Sequence, residues 1–139
     1  MGAEHSVFWD DLAEDLKDPE FLREYVTQSV RIATVDRIIN ALEGALAQTG
    51  MTKTALARAI STEPATIRRL LSHSHPNPTL GTLAEVAAGL GMRVTLEPLP
   101  ANERAQVTDP LLRGESADTE ALAHHLEKMR HGSGIAAAR

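Results

Sequence analysis

The chain has 139 residues, no cysteine and a formal net charge of −5. This length fits one domain with appendages, and the lack of cysteine excludes disulfides and thiolate metal sites and fits a reducing cytoplasm. No apolar run is long enough to span a membrane, and the N-terminus lacks the basic flank and apolar core of a signal peptide. We therefore expect a cytoplasmic protein that has no membrane partner.

The charges are segregated along the chain. Residues 1–30 carry a net −6, residues 31–100 carry +2, and residues 101–139 carry −1. Within residues 51–75, the only acidic side chain among four basic ones is Glu63. A basic centre beside an acidic arm indicates two different partners.

The first 30 residues predict an acidic, aromatic, helical N-terminal arm. All four aromatic residues lie within the first 25 positions. An acidic amphipathic segment of this kind suits a basic partner that has a groove. The side chains that we expect to contact a protein partner are Phe8, Trp9, Leu12 and Leu16.

Asp18-Pro19 predicts the start of the next helix, because aspartate is a favoured cap and proline a favoured first residue. Phe21 and Tyr25 follow on its apolar face, and we expect them to cover the core of the central domain. The apolar pattern continues towards Gly50, either unbroken or, as we favour, with a break near residues 29–34.

Residues 56–71, LARAISTEPATIRRLL, predict two short helices joined by a tight turn. Ser61-Thr62-Glu63-Pro64 supplies the turn, the capping candidates and a proline suited to a first helical position. This is the arrangement that places a helix in the DNA major groove. The apolar residues at helical spacing on either side of the turn are Leu56, Ala57, Ile60, Ile67, Leu70 and Leu71.

The stretch resembles the helix-turn-helix of the Xre/lambda-repressor-like family. Residues 38–60, IINALEGALAQTGMTKTALARAI, are similar to that family's first helix and its entry into the second. Residues 77–91, NPTLGTLAEVAAGLG, resemble the helix that follows the recognition helix in that family. With DPEFLREY before and MRVTLEPL after, residues 10–100 resemble an antitoxin of the HigA type. The resemblance implies neutralisation of a RelE/HigB-like mRNA-cleaving toxin and repression of its own operon.

Three positions depart from the family pattern. Ser61 takes the turn position usually given to glycine, and Glu63 precedes the recognition helix where serine or threonine is common. If Thr62 rather than Glu63 is the cap, the recognition helix shifts by one residue and the base-reading set changes. Pro64 stands where many relatives carry an amide, so that contact is not carried over.

Operator DNA contact is expected from the recognition helix, from the start of the helix before it and from the loop after it. Arginine at the exposed start of such a helix can read guanine, and a lysine can hold phosphate. Ser74, His75 and Asn77 extend the loop as weaker candidates. The DNA-binding set is Thr52, Lys53, Ala65, Thr66, Arg68, Arg69, Ser72 and His73.

The C-terminal part predicts a strand, a linker and a helix. Met92–Leu99 alternates apolar and polar residues, and an isolated strand needs a partner, either a second copy or another protein. Residues 100–117 have linker composition. A short helix is expected near Ser116–Arg130, with Leu122, Leu126 and Met129 apolar, before a disordered end, GSGIAAAR.

These features predict a mainly α protein: a lambda-repressor-like helix-turn-helix bundle with an N-terminal helical arm, one C-terminal edge strand and a tail helix. Its expected segments are 1–30 (arm), 31–91 (DNA-binding domain), 92–99 (interface strand) and 100–139 (linker, helix and disordered end). His73-x-His75 and His124-His125 lack the spacing of a zinc site, so we expect no metal or cofactor.

We expect an antitoxin that binds double-stranded operator DNA and a RelE/HigB-like toxin, and that acts as a homodimer. The alternative is a phage-like or metabolic Xre-family repressor that has no toxin partner. A non-DNA interaction scaffold comes third. An enzyme comes last, because no catalytic constellation is apparent. A small basic reading frame beside the gene would favour the antitoxin.

Overall fold

A computed structural model describes residues 2–73 and 77–137, with side chains described for residues 7–73 and 77–131. The chain is mainly helical and divides into two compact units. The first unit contains the residues up to Ala33 together with Pro98–Ser133, and the second is built on Thr34–Glu97. The helices are α1 (Gly2–Asp15), α2 (Pro19–Thr49), α3 (Lys53–Ala59), α4 (Pro64–Leu71), α5 (Leu80–Gly89), α6 (Ala101–Gln106), α7 (Thr108–Arg113) and α8 (Thr119–Ala137).

Helix α2 begins at the predicted Asp-Pro signal but does not break near residues 29–34, so that part of the prediction is wrong. Its backbone bonds start with the amide of Leu22 donating to the carbonyl of Asp18 at 2.8 Å. Ser29, the polar residue that favoured a break, is fully buried and donates its hydroxyl to the carbonyl of Tyr25 at 2.7 Å. A serine satisfied within its own helix does not have to end it.

The first unit has its own core, which the sequence did not predict. Helix α1 contributes to this core with the N-terminal half of α2 and with α8, rather than forming a separate arm. Phe21 and Tyr25 pack on this core and not on that of the central domain, which corrects the expectation stated above. The buried apolar residues are Leu12, Leu16, Leu22, Val26, Val107, Leu122, Ala123 and Leu126.

Residues 100–117 are not a plain linker, because α6 and α7 occupy most of the segment. Helix α7 ends at Gly114, whose φ of 76° is left-handed, and the guanidinium of Arg23 lies against it. Arg23 Nε donates to the carbonyl of Leu111 at 2.9 Å, which satisfies a helix-end acceptor. This contact with a residue 88 positions away gives the segment its order.

Helix α8 confirms the predicted tail helix and extends it. Leu122 and Leu126 are buried, and Met129 packs beside them. The helix runs on to Ala137, so the end predicted to be disordered from Gly132 onward is helical over most of its length. No helix in the described part of the chain is both long and apolar enough to cross a membrane.

The second unit is an aliphatic bundle of the C-terminal half of α2 with α3, α4 and α5. Helices α3 and α5 approach closely at Gly89, where an added Cβ would lie 2.7 Å from Leu56 Cδ1. The buried residues of this core are Ile39, Leu42, Leu46, Leu56, Ala57, Ile67, Leu70, Leu71, Leu83, Val86, Ala87 and Leu90.

The predicted edge strand is absent: no β-strand is formed within residues 2–73 and 77–137. After Gly91 the chain is exposed, and residues 92–99 have no neighbouring strand within the chain. Alternating side chains fit an extended conformation, but a strand exists only with a second one beside it.

Candidate nucleic-acid interface

Helices α3 and α4 are joined by a turn that reverses the chain within a few residues. Ser61 adopts the left-handed conformation with a φ of 57°. The amide of Thr62 donates to the carbonyl of Ala57 at 2.9 Å, and that of Ser61 donates to Arg58 at 3.2 Å. This is the Schellman pattern that ends helices, usually with glycine in the left-handed position. Ser61 therefore makes the turn as predicted, but in a backbone conformation that costs a serine energy.

The register of α4 follows from its cap. Glu63 is the cap residue, with an extended backbone and no side-chain bond to the helix, and Pro64 is the first helical residue. The amide of Thr66 donates to the carbonyl of Glu63 at 3.0 Å. Of the two registers that the sequence left open, the structure therefore adopts the one with Glu63 as cap.

Helix α4 has a buried face and a basic exposed face. Ile67, Leu70 and Leu71 are at most 1% exposed, so the helix is held rigidly in the core of the second unit. Arg68 and Arg69 are exposed, and within the described residues neither guanidinium has a carboxylate within 4.0 Å. In the part of the chain that the structure describes, these two cations have no competing ion pair and are available to an anionic partner.

The first turn of α4 and the start of α3 supply the other predicted contacts. Ala65 and Thr66 are half-buried, whereas Thr52 and Lys53 are exposed. Thr52 caps α3 by accepting a hydrogen bond from the amide of Ala55 at 3.0 Å. This cap fixes the backbone that bears Lys53, whose ammonium has no carboxylate within 4.0 Å in the described part of the chain.

The loop after α4 has acidic neighbours that the sequence did not predict. His73 is left-handed, with a φ of 64°, and its ring nitrogens lie 3.5 Å from Asp36 Oδ1 and 3.2 Å from Glu43 Oε1. Both carboxylates belong to α2, and no local sequence signal pairs them with a residue about 30 positions away. Ser72 donates its hydroxyl to the carbonyl of Arg69 at 2.9 Å.

Three weaker candidates for DNA contact were predicted in the loop after α4. Asn77 is exposed, and the predicted contacts Ser74 and His75 lie outside the described residues. Carboxylates beside His73 repel phosphate, so this end of the surface is less suited to DNA than the arginine face of α4.

The predicted protein-binding residues are mostly structural. Leu12 and Leu16 are 6% and 0% exposed and belong to the core of the first unit, so they cannot act as exposed anchors. Trp9 packs on the same core, with its ring stacked on His124 at a centroid distance of 3.8 Å. Of the four, only Phe8 is exposed, at 46%. Helix α1 buries its aliphatic face within the chain, because this face packs against α2 and α8.

A buried polar network joins α2 to α8 in the first unit. Tyr25 donates to Glu127, and the guanidinium of Arg130 lies 4.1 Å from the centre of the tyrosine ring. Arg130 Nε also donates to Ser29 Oγ at 2.7 Å. Burial, followed by the bond to Glu127, raises the pKa of Tyr25 to about 12, so the phenol keeps its proton at neutral pH. Arg130 is only partly satisfied, because its Nη2 is buried and has no hydrogen-bond partner among the described residues.

The described residues contain no group of three or more histidine and acidic side chains arranged to hold a metal ion. Comparisons of the chain with protein families, with curated proteins and with solved structures find no match.

Proposed function

We propose that this protein is a sequence-specific DNA-binding repressor of the antitoxin type, with a helix-turn-helix formed by α3 and α4. The observation that carries the proposal is the exposed pair Arg68 and Arg69, on a helix whose opposite face is fully buried. A rigidly held helix with exposed guanidinium groups suits the major groove, where arginine binds guanine O6 and N7 with two hydrogen bonds.

The other side chains take roles according to their placement. Lys53 contacts the phosphate backbone, which positions the protein without reading sequence. Ala65 and Thr66, on the first turn of α4, offer small apolar groups to a thymine methyl. Ser72 is a backbone-contact candidate at the far end. We leave His73 out of the contact set, because Asp36 and Glu43 hold its ring beside negative charge.

The acidic first unit supports a second, protein partner. Residues 1–30 carry a net −6, and the acidic residues of α1 from Asp10 to Asp15 are all exposed. A toxin of the RelE/HigB-like type that cleaves mRNA needs a cationic surface for phosphate, and an anionic protein complements it. The exposed Phe8 offers an aromatic anchor beside these charges.

The DNA half of the proposal is tested with Arg68→Ala/Arg69→Ala, titrated by fluorescence anisotropy against operator DNA selected from random sequence. One bidentate contact contributes about 1–3 kcal/mol, so we expect the double variant to lose most of its specific affinity. Arg31→Ala/Arg37→Ala removes the same charge from exposed positions of α2 and should bind nearly normally. Full operator affinity of the α4 variant would overturn the assignment.

The toxin half needs substitutions rather than deletions, because α1 is part of a core. Phe8→Ala combined with Asp10→Asn, Asp11→Asn and Glu14→Gln changes only exposed groups. Co-expression with the product of the neighbouring gene should show lost neutralisation while operator binding and melting temperature stay unchanged. If neutralisation is unchanged, or if the neighbouring gene encodes no toxin, the alternative function is favoured. That alternative is an Xre-family repressor that has no toxin partner.

A further inference from the structure

The second unit carries an open apolar groove of about 440 Å³, which we call the α5 groove. Its helix side is formed by residues four apart on one face of α5, and its other side by the chain that follows Gly91. Leu80 is 68% exposed and Leu96 is 99% exposed. An exposed apolar patch of this kind marks an interaction surface. The apolar lining residues are Leu80, Ala84, Ala88, Met92, Val94 and Leu96.

The side of the α5 groove that follows Gly91 has backbone groups without a partner among the described residues. The amide of Met92 donates to the carbonyl of Ala87 at 2.7 Å, which fixes where the segment leaves the helix. From Arg93 to Glu97, no backbone group is hydrogen-bonded to any other described residue. A segment with alternating apolar and polar residues and with open donors and acceptors is a template for another strand.

We propose that residues 93–97 pair antiparallel with the same residues of a second copy, about a two-fold axis at Thr95. Such an axis places Arg93 opposite Glu97 of the other copy, twice, so that opposite charges meet directly across the strands. It also places Val94 opposite Leu96, so that two apolar side chains that line the α5 groove leave water together. The segment is therefore complementary to itself in charge and in apolar pattern.

The register is specific to this axis. A two-fold axis at Val94 places Arg93 opposite Thr95, and an axis at Leu96 places Glu97 opposite Thr95, so both lose the charge pairs. Pro98 has no amide hydrogen and ends the pairing after Glu97. The need for two copies rests on the proposed function, since a two-fold protein reads an inverted repeat, but the surface itself involves no DNA.

Disulfide trapping tests the register in the full chain, which has no native cysteine. Residues opposite each other in an antiparallel pair lie about 4.5–5.5 Å apart, within the Cα separation of disulfides. Thr95→Cys should therefore form a covalent dimer under mild oxidation. Leu112→Cys, at an exposed site of the first unit, is the control and should stay monomeric. Arg93→Cys and Glu97→Cys should cross-link far better when mixed than alone.

A charge swap gives a second readout by sedimentation. Arg93→Glu should weaken the dimer at least tenfold, and adding Glu97→Arg should restore it. A wild-type chain that stays monomeric at tens of micromolar, or one that pairs only with a different protein, overturns the proposal, as does equal cross-linking of Thr95→Cys and Leu112→Cys. The Arg68→Ala/Arg69→Ala variant should still dimerise, so failure of the DNA proposal is read separately.

Discussion

Single side chains decide the geometry of the turn between α3 and α4. Ser61 has a φ of 57°, and its hydroxyl has no hydrogen-bond partner among the described residues. A left-handed L-residue costs about 1–2 kcal/mol, whereas glycine adopts this conformation freely. The turn is thus made by the surrounding hydrogen bonds, in spite of the residue at its centre.

We predict that Ser61→Gly stabilises the protein. Relief of the backbone strain outweighs the entropy that glycine gains in the unfolded chain, so the free energy of unfolding should rise by about 0.5–1 kcal/mol. Urea denaturation measures it. Ala59→Gly, two residues earlier in the right-handed last turn of α3, should instead lower stability by about 1 kcal/mol. A destabilised Ser61→Gly would mean that the serine hydroxyl is needed.

A second residue links stability to pH. Burial, aided by nearby Lys128, lowers the pKa of His125 below its ordinary 6.5, although Glu103 opposes the shift. The folded state therefore favours the neutral ring, while the unfolded chain binds a proton at higher pH. This contribution is fully present above about pH 6.5 and is lost as the pH falls towards the lower folded value.

We predict that His125→Gln removes this part of the acid sensitivity. Thermal melting between pH 8 and pH 5 should show a smaller fall in stability for His125→Gln than for the wild type. The neighbouring His124→Gln keeps His125 and should fall as the wild type does. Parallel curves for all three proteins would show that His125 contributes nothing to the pH dependence.

At the scale of elements, the surface presented by α4 depends on how closely the helices pack. Helix α5 meets α3 at Gly89, where a Cβ would lie 2.7 Å from Leu56 Cδ1 and 3.0 Å from Ile60 Cγ2. Leu56 is fully buried, so any shift of its side chain must be accommodated within the core. This contact holds α3, and with it the turn into α4, at a fixed distance from α5.

We predict that Gly89→Ala destabilises the protein by about 1 kcal/mol. Overpacking costs about 1–3 kcal/mol, and the better helix propensity of alanine offsets about 1 kcal/mol of that. Gly81→Ala is the matched control in the same helix, because nothing lies within 4 Å of its added Cβ, and it should be neutral or stabilising. Equal effects of both substitutions in denaturant titrations would show that the close approach relaxes freely.

At the scale of the whole molecule, charge and apolar surface are distributed between two units with separate cores. The acidic residues 1–30 belong to the first unit, and the basic face of α4 belongs to the second. Such a separation allows one chain to bind a cationic partner through its acidic surface and an anionic partner through its basic surface.

We predict that two copies bind one inverted repeat, with one α4 in each half-site. Each wrong base pair costs about 1–3 kcal/mol, so two substitutions in one half-site should weaken binding by about 2–6 kcal/mol. Two chains per duplex by native mass spectrometry is the expected stoichiometry, and a one-to-one complex of full affinity would contradict it.

Lys53→Ala should lower the affinity for specific and random DNA alike, and it should flatten the salt dependence of binding.

The sequence by itself determined the local features. The period of the apolar residues and the Asp18-Pro19 start located α2 to α5 and α8, although not α6 and α7. The Ser-Thr-Glu-Pro turn separated α3 from α4. These signals act within a few residues. Only the tertiary structure decided what the apolar faces pack against. Leu12 and Leu16 lie in the core of the first unit, and α2 continues unbroken through Ser29. The ring of His73 lies beside the carboxylates of Asp36 and Glu43. The partners in these contacts lie far apart in sequence, so no local pattern encodes them.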